Sequence, residues 1–436
     1  MASEKKGIGT WGAAFLGIGS MVGAGIFALL GEVGAVAGAA TWISFALGGL
    51  IAGLLGYTVT RLGIRYPSSG GLMAFLSEGF GARRITGVGA WMYYFAGIVV
   101  TALVALSFGN YGAAIIFGEG APLIWAKIIG TIMVIAIAAV VIVGAEAVVK
   151  LQSVIVIIML AVFAIFIIAT TSQLQPSLLS PSDYPGASSI ASAAALTFFA
   201  YIGFAVITFA TGDMRDPKRT LPRAMFLAIV IAVGLYVLVS LGVFGSLPAN
   251  EVIAHGSIAL AVAAKPVLGQ AGFLMMAFTA LIACATSVNA NLFGAGNVTK
   301  NMAVRGVFPG FFGGRSRIGG PRGVVVTAVI VLVLLNLLNI TAIASLGSAI
   351  ALIVFLVVLG AAFVLRKETA TPAWILAFTT ALTGIVLVLF IIDLVASEPA
   401  TVAFIFIAAA LAIVLDAVWR RIRARSQQAE MSTSTG

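Results

Sequence analysis

From position 8 onward the chain alternates long apolar runs with short polar or Pro/Gly-rich breaks such as SQLQPSLLSPSDYPGASS and RKETATP. The runs are too long, and alternate too little, for strands. A helix rises 1.5 Å per residue, so a crossing of the hydrocarbon core needs roughly 20 apolar residues. Twelve runs of this kind are predicted, at 8–31, 40–60, 85–115, 122–143, 147–170 and 190–212, then 222–245, 269–299, 322–339, 342–365, 373–395 and 400–419. Only helices and closed barrels satisfy every backbone group in lipid, and barrel strands are short and alternating. The predicted fold class is therefore an all-α integral membrane protein of about twelve transmembrane helices, with no soluble domain between them. The first run follows a basic start, MASEKK, as in a signal peptide. It is too long for one and lacks a cleavage signal, so it is read as a retained span.

Twelve crossings put both ends on one side, and the charges follow. All but Lys127 and Lys265 of the 24 Lys and Arg residues fall on that side, while the 14 acids divide almost evenly. This positive-inside pattern predicts cytoplasmic termini in a plasma (inner) membrane. Composition agrees: 9% of residues are charged, against about 25% in soluble chains. The net charge of +10 is thus assigned to topology, and no nucleic-acid partner and no particular oligomeric state is predicted. The segment RRIRARSQQAEMSTSTG is read as a basic anchor with a disordered tail. A lone cysteine, Cys284, excludes an intrachain disulfide.

Catalytic chemistry is scarce. The sole histidine, His255, lies in a loop, and no nucleophile set, metal-ligand cluster or phosphate loop stands out, so an enzyme is not predicted and no cofactor is expected. The distinctive resource is small residues. Span 1 carries Gly17, Gly19, Gly23 and Gly25. One glycine pair reads as close helix packing; four, ending in GAGIF, predict an unwound segment, tolerated at mid-membrane only where it lines a cavity. Span 6 offers a weaker second break at Tyr201-Ile202-Gly203-Phe204. Interrupted helices five spans apart point to an inverted repeat of two five-helix halves. The expected organisation is a cytoplasmic N-terminus at 1–7, a first repeat at 8–170 and a second at 190–365. Helices 11 and 12 follow at 373–419, then a basic tail at 420–436. Half-helix N-termini attract a carboxylate, and freed carbonyls an ammonium or Na⁺, so a zwitterion fits such a pair of breaks.

Several longer pieces carry a family likeness: GSMVGAGIF in span 1, RYPSSGG before span 3, and GFAVITFATGDMRDPKRTLPRAM at the end of span 6. ALAVAAKPVLG lies before span 8, and ATSVNANLFGAGNVTKNMAVRGVFP covers span 8 and the loop after it. Over 7–425 the chain resembles the amino acid–polyamine–organocation (APC) transporters, which have the leucine-transporter fold, and within them the prokaryotic broad-range amino acid transporters. The resemblance implies amino acid transport by alternating access. By position, the backbone of Gly23, Ala24 and Gly25 would bind the α-carboxylate, and the carbonyls of Met21, Phe199 and Ile202 the α-amine. Phe199 matches the outer gate, with Tyr201, Gly203 and Phe204 beside the pocket; on residue type alone Phe199 reads as a core or lipid-facing aromatic. A sodium site, the one candidate metal site, would take carbonyls of Gly19, Val22 and Ala283 and the hydroxyls of Thr286 and Ser287. Such hydroxyls also bond back to their own helix in membranes.

Two positions depart from the family pattern. Ala205 stands where many relatives have an acid, and Met159 where the proton-coupled branch has a lysine. Other charges offer weaker candidates. Glu146 and Lys150 form a favourable helical pair. Lys127 is expected to snorkel, and Asp393 and Asp416 to be interfacial. Asp213 and Asp216 are either an inner latch or solvated loop charges. The expected function is secondary active transport of a neutral, apolar L-amino acid, with Na⁺ the candidate coupling ion. Proton coupling or exchange is the alternative, and a membrane sensor the alternative of another class. Polyamine carriage would want buried carboxylates, and a sensor an output domain.

Overall fold

A computed structural model describes residues 7–68, 70–143, 148–316 and 321–434. Twelve spans follow one another. Span 1 is split into Thr10–Ala24 and Ile26–Ala37; then come Thr41–Arg65, Arg84–Phe117, Leu123–Val143 and Val148–Thr171. Span 6 is an α-helix, Ala187–Tyr201, continued by a 3₁₀ helix, Ile202–Asp213. Pro217–Ser246, Lys265–Val304, Arg322–Leu337, Ile340–Val364, Ala373–Ser397 and Pro399–Ser434 complete the set. Among the described residues ten helical stretches meet the length and apolarity of a membrane crossing; the inner half of span 1, span 9 and the segment Ala249–Val262 are shorter apolar helices. The predicted boundaries therefore hold to within a few residues at most ends.

Burial sorts the spans into a centre and a rim. In the most apolar windows of spans 3, 6 and 10, 72–78% of residues are buried, against 28% in spans 4, 5, 11 and 12. The rim exposes large apolar side chains, including Ile132, Ile168 and Phe406. An exposed apolar belt of that extent belongs against lipid. Glycines set the close contacts inside. A Cβ at Gly17 would meet Ile207 Cδ1 at 2.5 Å, and one at Gly79 would meet Ala361 Cβ at 2.7 Å. At Gly269, φ of 63° bends the start of span 8, a conformation side chains resist.

The charged positions resolve into specific ties. Lys127 donates to the carbonyl of Asn336 at 2.8 Å, closing the last turn of span 9. Asp393 accepts from Ser192 at 2.9 Å and joins span 11 to span 6. Asp416, expected at an interface, is 3% exposed and held by Arg420 at 2.8 Å. The inner ends of spans 1 and 6 are joined by backbone, not side chain: Ile8 N–H donates to the Asp213 carbonyl at 2.9 Å. Asp216 pairs with Arg219 at 3.7 Å on the surface, the solvated arrangement. Glu146 and the pair it was expected to form with Lys150 lie outside the described residues. Beyond the membrane the last helix runs on to Ser434 where a disordered tail was expected; extending an existing helix costs far less than nucleating one.

Candidate functional site

Met21, Val22 and Gly23 end the inner helix of span 1, with Ala24 its last residue, and Gly25 alone separates it from the outer helix. Gly25 has φ −93° and ψ −86°, outside the helical well, yet its N–H still donates to the Met21 carbonyl at 2.8 Å. Its own carbonyl accepts from Leu29 N–H at 3.0 Å. The break is thus one residue wide, narrower than the unwound segment predicted. The reason is that Gly17 and Gly23 serve close approach instead. A Cβ at Gly23 would stand 2.5 Å from the Ala283 carbonyl oxygen and 2.9 Å from Ser287 Cβ.

Span 6 changes pitch rather than opening. Ile202 N–H donates to the Phe199 carbonyl, and the tighter 3₁₀ winding then continues for 12 residues. Such runs seldom exceed 3–4 residues, and a long one inside a span marks a hinge or strain. Its start lies on span 1: a Cβ at Gly203 would meet Ser20 C at 2.6 Å and Met21 Cα at 2.9 Å. The two interruptions therefore touch at the centre of the bundle. The carbonyls of Met21 and Phe199 each hold one backbone N–H and keep a second lone pair.

The aromatics divide. Phe199, 3% exposed, lays its ring on Gly347 of span 10, and Val99 of span 3 lies within 3.0 Å of the same Cβ position. Ile202 beside it is half-buried. Tyr201 turns away, donating to the Phe45 carbonyl of span 2 at 2.9 Å. Phe204 packs on Phe355 of span 10, ring centroids 5.4 Å apart. A tyrosine that sequence reasoning passed over joins the break instead. Tyr236 of span 7 is fully buried, donates to the Ala200 carbonyl at 3.3 Å, and fills the space beside Gly25. Its one signal is a lone hydroxyl aromatic within an aliphatic span.

On span 8, Ala283 and Ser287 face Gly23. Cys284 donates to the Gly23 carbonyl at 3.7 Å, a long sulfur contact. Thr286 does bond back to its helix, to the carbonyls of Ile282 at 3.0 Å and Ala283 at 2.9 Å. Ser287 Oγ is buried without a partner, and so, one turn on, is Asn291 Nδ2. Buried polar groups are nearly always paired, so two in register on one helix face are notable. Asn291 was not singled out from the sequence, although the SVNAN run within an apolar helix carries it. Gly19 and Val22 lie on the inner helix of span 1, with Val22 fully buried. Met159 of span 5 is 3% exposed and precedes Phe163 by one turn; the Phe163 ring packs on Phe27 at 5.2 Å. Phe27 likewise follows Gly23 by four residues, in a span that crosses in the same direction as span 5. Spans 1, 5 and 8 pack against one another here, and the oxygens between spans 1 and 8 include the Ala283 carbonyl and the Ser287 hydroxyl.

Comparison with known proteins gives a consistent result. A family model described as "Amino acid permease" matches residues 8–419. The chain is 32% identical over 419 residues to the inner membrane transport protein YbaT of Escherichia coli (strain K12), covering 95% of this chain and 97% of that one. It is 26% identical over 308 residues to the serine/threonine exchanger SteT of Bacillus subtilis (strain 168), 70% of each chain. It is 24% identical over 261 residues to the branched-chain amino acid permease BcaP of the same organism, 56% of each chain.

Proposed function

Because the chain belongs to the amino acid permease family of the APC superfamily, we propose that this multi-pass membrane transporter carries a neutral, apolar L-amino acid by alternating access, coupled to Na⁺. The family consists of transporters, not enzymes, and membrane amino acid transport follows from it directly. The observation that supports the finer reading is the meeting of both helix interruptions at the buried centre, Gly25 against Ala200 and Gly203 against Met21. An α-carboxylate there would take N–H groups of the Gly23–Gly25 turn once it opens, since here Gly25 N–H is held by the Met21 carbonyl and Gly23 and Ala24 lie within the inner helix; an α-amine would take the spare lone pairs of the Met21, Phe199 and Ile202 carbonyls. Each group is local to the substrate backbone, so the side chain is left to the surrounding walls.

Those walls favour a neutral side chain. Around the breaks and the facing part of span 8, residues 8–31, 190–212 and 269–299 contain no Asp, Glu, Lys or Arg; the first acid of span 1, Glu32, lies two turns beyond Gly25. Burying an unpaired charge among them costs too much for a cationic or anionic amino acid to compete. Two relatives are named for neutral amino acids, serine/threonine and branched-chain. In the arrangement described, Phe199 and Met21 are buried, so a substrate held beside them would need spans 1 and 6 to move for its release. The backbone tie from Ile8 to Asp213 would carry the two inner halves as one unit.

The experiment is uptake of radiolabelled amino acids into proteoliposomes, with Na⁺ and pH gradients imposed separately. Leucine, isoleucine, valine and similar neutral substrates should accumulate and compete with one another. Uptake of lysine, glutamate or putrescine that neutral amino acids leave untouched would overturn the assignment. Orientation is tested independently. With both termini cytoplasmic in the plasma membrane, a reporter active only outside it should stay silent after Thr10 or Arg425 and be active at Ser182, between spans 5 and 6. The reverse pattern would exchange the inner and outer faces of every assignment above.

A further inference from the structure

We propose that the basic end of spans 3 and 12 holds an anionic phospholipid, its headgroup in a polar groove and an acyl chain in the apolar crevice beside it. The groove, of about 690 Å³, lies between the short helix Leu72–Phe80, the start of span 3, the loop after span 8 and the end of span 12. Three arginines line it, Arg305, Arg420 and Arg423, against two acids, Glu78 and Asp416. The acids do not cancel them. Asp416 is buried in the wall, in the space a side chain at Gly87 would fill, and its carboxylate is already paired with Arg420. Arg420 in turn donates to the carbonyls of Ala82 at 2.8 Å and Arg83 at 2.7 Å, so this pair is structural. Arg423 gives one N–H to the Gly306 carbonyl at 3.0 Å, from the five a guanidinium carries. Arg305 is exposed. The groove therefore presents two arginines to a ligand against one exposed acid, Glu78.

The second cavity decides which anion. A crevice of about 330 Å³ lies on the same pair of spans, lined by Ile85, Val88 and Met92 of span 3, Val357 of span 10 and Ile413 of span 12, with Arg84 among them. Ile85 and Val88 bracket Thr86 and Gly87, which line the groove, and Ile413 precedes Asp416 by one turn. Basic pocket and apolar slot thus sit side by side where the helices leave the membrane. Trp419, donating to the Gly306 carbonyl at 3.0 Å, marks that level, as tryptophans do at membrane interfaces. Basic pockets between spans take anionic headgroups; a free phosphate would use the groove and leave the crevice unfilled. The short helix bordering the groove also reaches the transport path: its N-cap Gly71 abuts the ring of Phe209 in the 3₁₀ half of span 6.

The test is native mass spectrometry of the full-length protein, delipidated and then offered phosphatidylglycerol or phosphatidylcholine. Phosphatidylglycerol should be retained and phosphatidylcholine lost. The double variant Arg305→Ala with Arg423→Ala should weaken phosphatidylglycerol binding about tenfold or more, at about 1 kcal/mol for each basic residue near an anionic lipid. Val88→Trp, which fills the crevice and leaves the charge unchanged, should weaken it as well. Millimolar inorganic phosphate should not displace the lipid. Equal retention of both lipids, unchanged binding in the double variant or in Val88→Trp, or displacement by phosphate would each overturn the proposal, the last by assigning the groove to a free anion.

Discussion

Replacing Gly25 by leucine is expected to leave a protein that inserts and folds but no longer binds amino acid. The effect is steric. A Cβ at this position would stand 2.8 Å from both Ala200 Cβ and the Met21 carbonyl oxygen, with the Tyr236 hydroxyl closer still. Space beside the break is therefore already taken by spans 6 and 7, and added atoms have one direction to go, into the turn where the substrate carboxylate would lie. Overpacking of this kind costs about 1–3 kcal/mol of stability, which a twelve-span protein with a continuous buried core can absorb. Binding has no such reserve, because the loss is of the backbone donors themselves. Affinity should fall by at least about 100-fold, equivalent to roughly 2.7 kcal/mol. Monodisperse elution and a thermal transition near that of the parent protein establish folding; scintillation proximity binding of the best substrate reads the site. Uptake by Gly25→Leu at the parent rate would mean that the span 1 glycines serve helix packing alone.

That test turns on a feature only partly legible in the sequence. Apolar run lengths and the Pro/Gly punctuation between them locate the spans, because in lipid there are few other ways to satisfy a backbone. The glycine cluster likewise locates the span 1 interruption. Its width is another matter. Gly17, Gly23 and Gly25 look alike as letters, but Gly17 makes room for Ile207, Gly23 for Ala283 and Ser287, and Gly25 alone departs from helical dihedrals. Which glycine turns depends on what presses against each. The same holds for Tyr201 and Phe204, whose rings go to spans 2, 7 and 10. Periodicity fixes neither their rotamers nor the partner across the helix face. Tyr236 and Asn291 were passed over because each acquires meaning only from a distant segment, the one at Gly25 and the other in line with an unpaired Ser287.

Sodium dependence is where that unpaired hydroxyl has its largest expected effect. A buried hydroxyl without a partner costs about 1–3 kcal/mol, so Ser287 Oγ is held at an expense that a bound cation would offset. Its neighbours are the right kind: the Ala283 carbonyl lies against Gly23, and the last two turns of the inner helix carry the Gly19 and Val22 carbonyls. Thr286 donates to two carbonyls of its own helix, which fixes its rotamer, whereas Ser287 Oγ has no such tie and can turn its lone pairs toward an ion. Uptake should therefore rise with external Na⁺, and Na⁺ should raise the thermal transition by binding the folded state. Ser287→Ala should remove both responses, whereas Thr286→Ala alone should weaken them less. Met159→Lys gives the complementary result. Met159 lies one turn before Phe163, whose ring packs on Phe27 of span 1, and a lysine there would bring a tethered ammonium toward the same carbonyls, so Na⁺ stimulation should drop about tenfold while uptake gains a dependence on pH, since a buried lysine exchanges its proton readily. If the parent protein ignores Na⁺ in both assays and follows an imposed pH gradient, the ion site is wrong. Met159 offers no titratable group, so coupling would then need an acid such as Glu146 or Asp213 to carry the proton. Neutralising each in turn, as Glu146→Gln and Asp213→Asn, would identify which by loss of the pH response.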